Sequence, residues 1–262
     1  MNPRIKLLQS FAEPCSRICK DYFLKEAKTW RKQDKSFVSE ADIKVNDYII
    51  SSIQEDFAED AILSEESPED PRRKHSEYTW VIDPIDGTSE FLAGSPEFCI
   101  MICILRNNKP FYASISIPQE NKSYEGGPSF PAKEKDLLSR KYTNLEKNLL
   151  DNNVLIMSKS RATQQLKDFA KQENIESFSC GSAGVKACRI LQHKANNYIH
   201  MSKIAEWDTA APDCILQSWG QGFIDIDGNA LIYNKEKFYH KHFFYMPSEK
   251  LFLKAQKFFQ KN

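Results

Sequence analysis

The sequence predicts a mixed α/β protein, because strand-like and helix-like segments alternate along a chain of globular composition. The chain has 262 residues, of which 41% are hydrophobic and 27% are charged. This length suits one large domain or two tightly packed lobes, and the composition excludes a disordered or fibrous protein. We expect an N-terminal lobe, residues 1–150, and a C-terminal lobe, residues 151–262, packed into one compact unit.

The N-terminal segments predict helices followed by a short strand. Apolar residues recur at three- and four-residue spacings over residues 3–28 and predict a helix, which a charged loop follows up to residue 37. Ser39, with Asp42 three residues later, has the pattern of a capped helix start. The segment AILSEE, residues 61–66, predicts a strand that leads directly into two glutamates.

Further strands are predicted in the middle of the chain. Residues 79–83, 99–106 and 109–118 are short apolar runs, the last two separated by an Asn-Asn-Lys turn. Residues 66–77 are polar and interrupted by proline, which predicts a loop. Residues 119–150 are charged and poorly periodic, so we expect an irregular insertion there.

Strands and helices alternate in the second half, which is typical of βαβ units. Strands are predicted over residues 154–158, 177–180, 197–201 and 222–227. Helices are predicted over residues 162–172, 183–195 and 208–220.

Charge and cysteine content limit the environment and the partners. The 36 basic and 36 acidic side chains balance, which argues against a nucleic-acid polymer or an anionic membrane as partner. The seven cysteines form no Cys-x-x-Cys pair, which indicates buried, reduced thiols. No apolar stretch has the length of a membrane-spanning helix, and the N-terminus does not have the pattern of a signal peptide. We therefore expect a cytoplasmic protein.

The segment WVIDPIDGTSEF, residues 80–91, carries the strongest chemical signal. Pro84 favours extended geometry at Asp83, and the turn that follows lets Asp83 and Asp86 face one space. The carbonyl of Ile85 offers a neutral oxygen between them. A helix that begins at Thr88 would present free N–H groups to an anion. Taken alone, the same pattern also suits an ordinary capped turn.

Other acidic residues lie at predicted element ends and could join this group. Glu65 follows a strand, and Asp42 and Asp208 each lie in the first turn of a helix. Each of these alone is also typical of a helix cap or a dipole partner. The candidate ligands are all oxygens, which favours Mg²⁺, Mn²⁺ or Ca²⁺ over Zn²⁺.

Four segments occur in one order: SEADIKVNDYI, LSEES, WVIDPIDGTSEF and EWDTAA. With these spacings the chain resembles the inositol-monophosphatase-like superfamily of lithium-sensitive, Mg²⁺-dependent phosphatases, from about residue 35 to about residue 230. The resemblance implies a layered αβαβα sandwich. It also implies two or three Mg²⁺ ions, with Mn²⁺ as an alternative ion, and inhibition by Li⁺.

The resemblance assigns the metal ligands residue by residue. Glu65, Asp83 and the Ile85 carbonyl would hold one Mg²⁺, and Asp83, Asp86 and Asp208 would hold a second. Every one of these positions has the residue that the family pattern requires. An inactive relative would be expected to lack at least one of them.

The resemblance also implies catalytic roles. Thr88, oriented by Asp42, would accept a hydrogen bond from the attacking water and help to deprotonate it, with Glu65 beside the same water. The N–H groups of Gly87 and Thr88 would hold phosphate oxygens. The alternative for Thr88 is a hydroxyl that only satisfies its own turn.

The second half resembles the bacterial 3'(2'),5'-bisphosphate nucleotidases of the CysQ type. LIMSKSRA, SCGSAGVKACRI and WDTAA have their form. This resemblance implies removal of the 3'-phosphate of 3'-phosphoadenosine 5'-phosphate, a role in sulfur metabolism, and substrate contacts from Gly181, Ser182 and Lys186. Lys203 would supply charge for a second phosphate. The alternatives are an exposed helix lysine at 186 and a solvated one at 203.

Two positions depart from both substrate patterns. His200 stands where the nucleotidases often have arginine, and Met201 stands where the inositol phosphatases have an acidic residue. An inositol-1-phosphate or broad sugar-phosphate phosphatase therefore remains an alternative, as does a non-catalytic metal- or nucleotide-binding relative. The expected partner is a small phosphate ester, and the resemblance implies a homodimer.

Overall fold

Five layers of helix and sheet alternate through the molecule. The structure is a computed structural model that describes residues 2–25, 28–32, 37–147 and 153–260. Helices cover a seven-stranded sheet, two more helices lie between that sheet and a four-stranded sheet, and a final helical layer covers the second sheet. The predicted αβαβα sandwich is confirmed.

Within the described residues the chain forms eight α-helices. They are α1 (Pro3–Ser10), α2 (Ala12–Tyr22), α3 (Glu40–Asp56), α4 (Thr88–Leu92), α5 (Gln164–Gln172), α6 (Ala183–Leu191), α7 (Glu206–Leu216) and α8 (Glu249–Gln260).

The same part of the chain contains fifteen strands. They are β1 (Thr29–Arg31), β2 (Phe37–Ser39), β3 (Ala61–Ser64), β4 (Tyr78–Asp86), β5 (Cys99–Arg106), β6 (Lys109–Ile117), β7 (Lys122–Gly127), β8 (Phe130–Asp136), β9 (Tyr142–Asn144), β10 (Val154–Ser158), β11 (Glu176–Cys180), β12 (Asn197–His200), β13 (Ile204–Ala205), β14 (Tyr239–His240) and β15 (Phe243–Tyr245).

The large sheet has the strand order β3-β4-β5-β6-β7-β8-β9. Strands β3 and β4 are parallel, and the remaining neighbours are antiparallel. Both faces of its central strands are buried, so β4 and β5 are apolar along most of their length. One face packs on α1, α2 and α3, and the other packs on α6 and α7.

The small sheet has the order β11-β10-β12-β15, and β10 is parallel to both of its neighbours. Helix α5 leads from β10 to β11 on the outer face, where Phe169 packs with Phe252 and Phe259 of α8. Helix α6 leads from β11 back to β12 on the inner face. The chain thus moves from β10 to β11 on one side and then returns past β10 to β12 on the other, so the strand order reverses between β10 and β12. The carboxyl ends of these two strands form a topological switch point, where ligands bind in open α/β sheets.

The prediction of an irregular insertion over residues 119–150 is wrong. Residues 122–144 contain β7, β8 and β9, which extend the large sheet. The sequence does not predict β8, because Ala132 is its only buried residue. Lys122 on β7 forms an ion pair with Glu134 on β8 at 2.7 Å, so no pair of apolar side chains marks this contact in the sequence. Residues 148–150 of the predicted insertion lie outside the described residues.

The helix predicted over residues 3–28 is instead two helices, α1 and α2, and the second ends at Tyr22. Pro14 has no N–H to donate to the Ser10 carbonyl four residues earlier, and its ring crowds that carbonyl. The first helix therefore ends at Ser10. The charged loop predicted next contains strand β1 and the first residue of β2, which pair antiparallel. Residues 26–27 and 33–36 lie outside the described part.

The strand predicted over residues 222–227 is also wrong. Only Ile224 makes β-bridges there, to Ala230 and Phe244. The Asp225 carboxylate accepts hydrogen bonds from the N–H groups of Asp227 and Asn229 at 2.9 Å, so the chain turns before a strand can extend.

The cysteine prediction is confirmed, since all seven side chains are free and buried. Among the described residues, no helix is both long and apolar enough to span a bilayer.

Candidate metal and phosphate site

A cleft of about 220 Å³ opens where the ends of several elements meet. Glu65 follows the carboxyl end of β3, and its N–H donates to the carbonyl of Ile82 at 3.2 Å. Asp83 and Asp86 end the neighbouring strand β4, and Asp208 lies in the first turn of α7. The carboxylates predicted from separate segments therefore line one cavity, together with Ile85, Gly87 and Thr88.

A bulge in β4 explains how Asp83 and Asp86 can face the same space. Residues three apart on a regular strand point to opposite faces of the sheet. Here Asp83 pairs with Met101 and Asp86 with Cys99, so three steps on β4 match two on β5. The extra residue reverses the alternation after Asp83. Pro84 suits this position because it has no N–H to contribute to the ladder.

The cluster has three carboxylates at its centre. Asp83, Asp86 and Asp208 each present an oxygen, and these oxygens all lie within 4.8 Å of one another. Burial, and then the nearby carboxylates of Glu65, Asp86 and Asp208, raise the pKa of Asp83 well above its ordinary value. Burial, followed by Asp86 and Glu65, likewise raises the pKa of Asp208 to about 8. Such a group is unfavourable unless a cation lies among the oxygens.

The donor set fits a hard divalent cation. Both carboxylate oxygens of Asp83 are buried and have no hydrogen-bond partner within the described residues. An unpaired buried carboxylate is costly, whereas coordination of a metal would satisfy it. The ligands available are all oxygens, which is the preference of Mg²⁺.

Glu65 has a different partner. Its Oε1 accepts a hydrogen bond from the Lys32 ammonium at 2.7 Å, and the same ammonium lies 2.5 Å from an oxygen of Glu66. Burial raises the pKa of Glu65, and the Lys32 charge opposes that rise. Glu65 thus lines the cleft beside the three aspartates while it is paired with a lysine from the β1–β2 hairpin.

Thr88 and Asp42 are in direct contact. The Thr88 hydroxyl has two acceptors at 3.1 Å, the Asp42 carboxylate and the Ile85 carbonyl. Asp42 is held in turn by the N–H and the hydroxyl of Ser39, in the capping box that begins α3. Because the hydroxyl proton is directed to one of these acceptors, the lone pairs of Thr88 are free to accept a hydrogen bond.

Gly87 sets the direction of α4. Its φ of +94° lies in the left-handed region, and a Cβ at this position would stand 3.0 Å from the Glu97 carbonyl oxygen. Glycine alone accommodates both conditions without strain. The first N–H groups of α4 have no partner inside the helix, and they begin at the rim of the carboxylate cluster.

Ser182 and Gly181 lie on the opposite wall of the cleft. The Ser182 hydroxyl donates to the Asp86 carboxylate at 2.5 Å, and the N–H of Gly184 donates to the same oxygen at 2.7 Å. Ser182 also caps α6 by accepting from the Val185 N–H. The start of α6 thus orients Asp86, a contact that the sequence pattern did not indicate.

Lys186 is buried, so the alternative of an exposed helix lysine is wrong. Its ammonium donates to the carbonyls of Cys180, Gly181 and Ser182, at 3.4 Å for Cys180 and 2.8 Å for Ser182. Burial lowers the pKa of Lys186, although Asp86 opposes that shift. Its side chain lines the cleft and also fixes the loop that precedes α6.

Lys203 lies away from these residues. Its ammonium stands 3.7 Å from the centre of the Tyr239 ring, and it is not part of the cleft lining. The structure therefore brings the other eleven predicted site residues together around the cleft, with Asp42 behind Thr88, and leaves Lys203 outside.

Sequence reasoning did not assign a role to Arg161, and it noted His200 only as a departure from the substrate patterns. Both line the cleft, with Ser158 and Ser160 beside Arg161. The available signal was the SKSR segment immediately after the predicted strand 154–158, since residues that follow a parallel strand often carry function.

A carboxylate cluster beside a helix start offers ligands for a divalent cation and donors for a phosphate, the combination that metal-assisted phosphoryl transfer uses. The chain is a member of the inositol monophosphatase family, whose sequence model it matches over residues 3–257. The family resemblance seen in the sequence is thereby confirmed.

Three similar proteins illustrate the relationship. A 3'(2'),5'-bisphosphate nucleotidase CysQ from Haemophilus influenzae is 27% identical over 232 residues, 85% of this chain and 84% of the relative. The crystal structure of CysQ from Bacteroides thetaiotaomicron is 22% identical, with a TM-score of 0.79 over 93% of this chain and 97% of the other. An IMPase/NADP phosphatase crystallised with Mg²⁺ and phosphate is 16% identical, with a TM-score of 0.80 over 96% and 94% of the two chains.

Proposed function

We propose that this phosphatase is a Mg²⁺-dependent 3'(2'),5'-bisphosphate nucleotidase that hydrolyses the 3'-phosphate of 3'-phosphoadenosine 5'-phosphate. The observation that carries the proposal is the convergence of Asp83, Asp86 and Asp208 within 4.8 Å, with both oxygens of Asp83 unpaired. The CysQ relatives support the choice of substrate.

The proposed ligands divide into two groups. Asp83, Asp86 and Asp208 would hold one Mg²⁺, and Glu65, Asp83 and the Ile85 carbonyl would hold another. The Lys32 ammonium contacts Oε1 of Glu65, so coordination of a metal would use Oε2 or replace this ion pair. When bound, Mg²⁺ supplies positive charge to the phosphate and increases the acidity of a water molecule.

The chain's own residues prepare the attacking water. Thr88 donates its proton to Asp42 or to the Ile85 carbonyl, so it can accept a hydrogen bond from a water on the cleft side. Asp42 stays in place because Ser39 donates two hydrogen bonds to it. A water held in this way would be positioned for direct in-line attack on the phosphorus, with no covalent intermediate.

The phosphate would lie at the start of α4. Free N–H groups from Gly87 onward can hold phosphate oxygens there, and the absence of a side chain at Gly87 permits close approach. Ser182 and the N–H of Gly184 keep Asp86 oriented from the other wall. The rest of the substrate would then extend toward the wall that carries Ser158, Arg161 and His200.

A comparison of substrates tests this function. With Mg²⁺ present, kcat/KM for 3'-phosphoadenosine 5'-phosphate should exceed kcat/KM for inositol 1-phosphate by at least about tenfold, which corresponds to roughly 1.4 kcal/mol of transition-state stabilisation. A higher efficiency on inositol 1-phosphate would replace the proposal by the inositol-phosphatase alternative. No phosphate release from either ester would instead favour a non-catalytic relative.

A further inference from the structure

The cleft is acidic on one side and has few free cations on the other. Glu65, Asp83, Asp86, Glu90 and Asp208 all line it. Metal ions would neutralise the carboxylates at the reacting phosphate, but a substrate with two phosphates carries a second dianion that those metals do not meet. A positive side chain elsewhere in the cleft would favour recognition of that second group.

Three basic side chains line the described part of the cleft: Arg161, Lys186 and His200. Lys186 is unsuited to a ligand, because its three N–H donors already face the carbonyls of Cys180, Gly181 and Ser182. An ammonium that is saturated by carbonyls and fully buried stabilises the loop and has no donor left for a phosphate.

His200 does not supply the charge either. Burial, and then the charges of Lys186 and Arg161, lower its pKa to about 3, so the imidazole is neutral near pH 7. Its Nε2 is 2.9 Å from the Ser202 hydroxyl, and its ring stacks on Phe243 at an interplanar angle of 7°. The position at which the nucleotidases often have arginine is thus occupied here by a neutral, packed side chain.

Arg161 differs from both in being exposed and unpaired. Its guanidinium makes no hydrogen bond or salt bridge with the residues that the structure describes, although Asp208 is near enough to interact with its charge. Its backbone is nevertheless fixed, since its N–H donates to the Ser158 hydroxyl at 3.2 Å and the preceding Lys159 N–H donates to the Cys180 carbonyl at 3.0 Å. An unpaired guanidinium on a fixed turn is suited to bidentate recognition of a phosphate.

The position of Arg161 in the fold also favours a role in ligand binding. Arg161 follows the carboxyl end of β10, beside the switch point between β10 and β12 at which the strand order reverses. In open α/β sheets ligands bind at this point. We propose that Arg161 binds the second phosphate of a bisphosphorylated substrate, the one that is not cleaved, and so sets the preference for bisphosphates over monophosphates. This inference rests on the proposed nucleotidase function.

The test compares 3'-phosphoadenosine 5'-phosphate with adenosine 3'-phosphate, which lacks only the second phosphate. Arg161→Gln should lower kcat/KM for the bisphosphate by about ten- to a hundredfold, mainly through a higher KM, and should change kcat/KM for the monophosphate by less than about twofold. Arg161→Lys should restore part of the preference, because it keeps the charge without the planar fork.

Controls separate this effect from general changes. Arg17→Gln makes the same substitution on the exposed surface of α2 and should leave both substrates unaffected. Lys203→Gln examines the residue that the sequence suggested for the second phosphate. Loss of the bisphosphate preference in Lys203→Gln and not in Arg161→Gln would overturn the proposal, as would an equal loss on both substrates in Arg161→Gln.

The proposed function and the role of Arg161 can be contradicted separately. Wild-type protein with no preference for the bisphosphate over adenosine 3'-phosphate and inositol 1-phosphate would contradict the proposed function, and with it the role of Arg161. A wild-type preference that Arg161→Gln retains in full would leave the function standing and reject only the assignment of Arg161.

Discussion

At the scale of single residues, the most informative side chain is one with no partner. Asp83 is 1% exposed, and neither of its carboxylate oxygens has a hydrogen bond within the described chain. A folded protein tolerates such a group only where its function requires it, because the cost falls on stability. The unpaired carboxylate is therefore evidence for a bound cation that is independent of family resemblance.

Replacement of Asp83 by asparagine should have opposite effects with and without metal. In EDTA, Asp83→Asn removes a buried charge beside two other carboxylates, so the free energy of unfolding should rise by about 1–3 kcal/mol. The wild-type protein should gain roughly 2.7 kcal/mol at Mg²⁺ concentrations a hundredfold above its Kd, and the variant should gain much less. Urea unfolding in EDTA and in Mg²⁺ measures both quantities.

Two results would count against this interpretation. Equal stabilisation of both proteins by Mg²⁺ would place the metal elsewhere. A loss of stability in EDTA would show that the Asp83 carboxylate is satisfied in the free protein. Glu77→Asn is a suitable control, because its carboxylate is exposed and contacts only Arg106 among the described side chains.

At the scale of secondary-structure elements, the site depends on the junction between β4 and α4. The bulge turns Asp86 to the side of Asp83, and Gly87 then redirects the chain into α4 with a positive φ. Neither feature binds a ligand by itself. Together they place two carboxylates and a helix start within a few residues of each other, which a regular strand cannot do.

The substitution Gly87→Ala should be more destabilising than an alanine at another left-handed glycine. A Cβ at Gly87 adds the left-handed strain, about 1–2 kcal/mol, and also stands 3.0 Å from the Glu97 carbonyl oxygen. Gly220 has a φ of +81° with nothing within 4 Å of its Cβ position, so Gly220→Ala measures the strain alone. We expect Gly87→Ala to lose at least about 1 kcal/mol more in urea unfolding, and equal losses would show that the Glu97 contact is unimportant.

Elements with a buried apolar face were predictable from the sequence, and elements without one were not. The predicted strand over 99–106 coincides with β5, and the predicted strand over 154–158 coincides with β10, because nearly all of their side chains are buried. Strand β8 has a single buried residue, so its sequence carries no alternation to detect. Its position is fixed by pairing with β7, a long-range contact that no local pattern records.

In the candidate site, the acidic motif residues were predictable from the sequence, and the contacts between distant segments were not. Acidic residues at element ends could be recognised because the motif segments have fixed spacing. The contact of Ser182 with Asp86 joins residues 96 positions apart, and no local pattern shows that Lys186 and His200 are buried while Arg161 is exposed. Such relations follow from the packing of the two sheets. The sequence alone therefore suggested Lys203 for the second phosphate, although this residue lies outside the cleft lining.

At the scale of the whole molecule, the layers explain why the cleft holds buried titratable groups. Helices α6 and α7 lie between the two sheets, and the apolar residues around them form one continuous core. The cleft opens at the edge of that core, so groups that line it lose water on one side. His200 lines the cleft and is 4% exposed, whereas His240 lies on β14 outside the cleft lining and is 6% exposed. Both imidazoles are neutral near pH 7 in the folded protein.

These histidines should make the protein lose stability in acid. Burial, and then the neighbouring Lys235, lower the pKa of His240 to about 3, whereas an unfolded chain protonates the imidazole below about 6.5. Between these values the unfolded state binds more protons, so the contribution of His240 to the free energy of unfolding is complete above pH 6.5 and is lost as the pH falls toward 3.

His240→Gln should therefore make the free energy of unfolding depend less on pH. The difference between variant and wild type in this free energy should change by about 2 kcal/mol between pH 7.5 and pH 4.5. Urea unfolding at intervals of half a pH unit measures the two curves; parallel curves would show that His240 is already protonated in the fold or solvated.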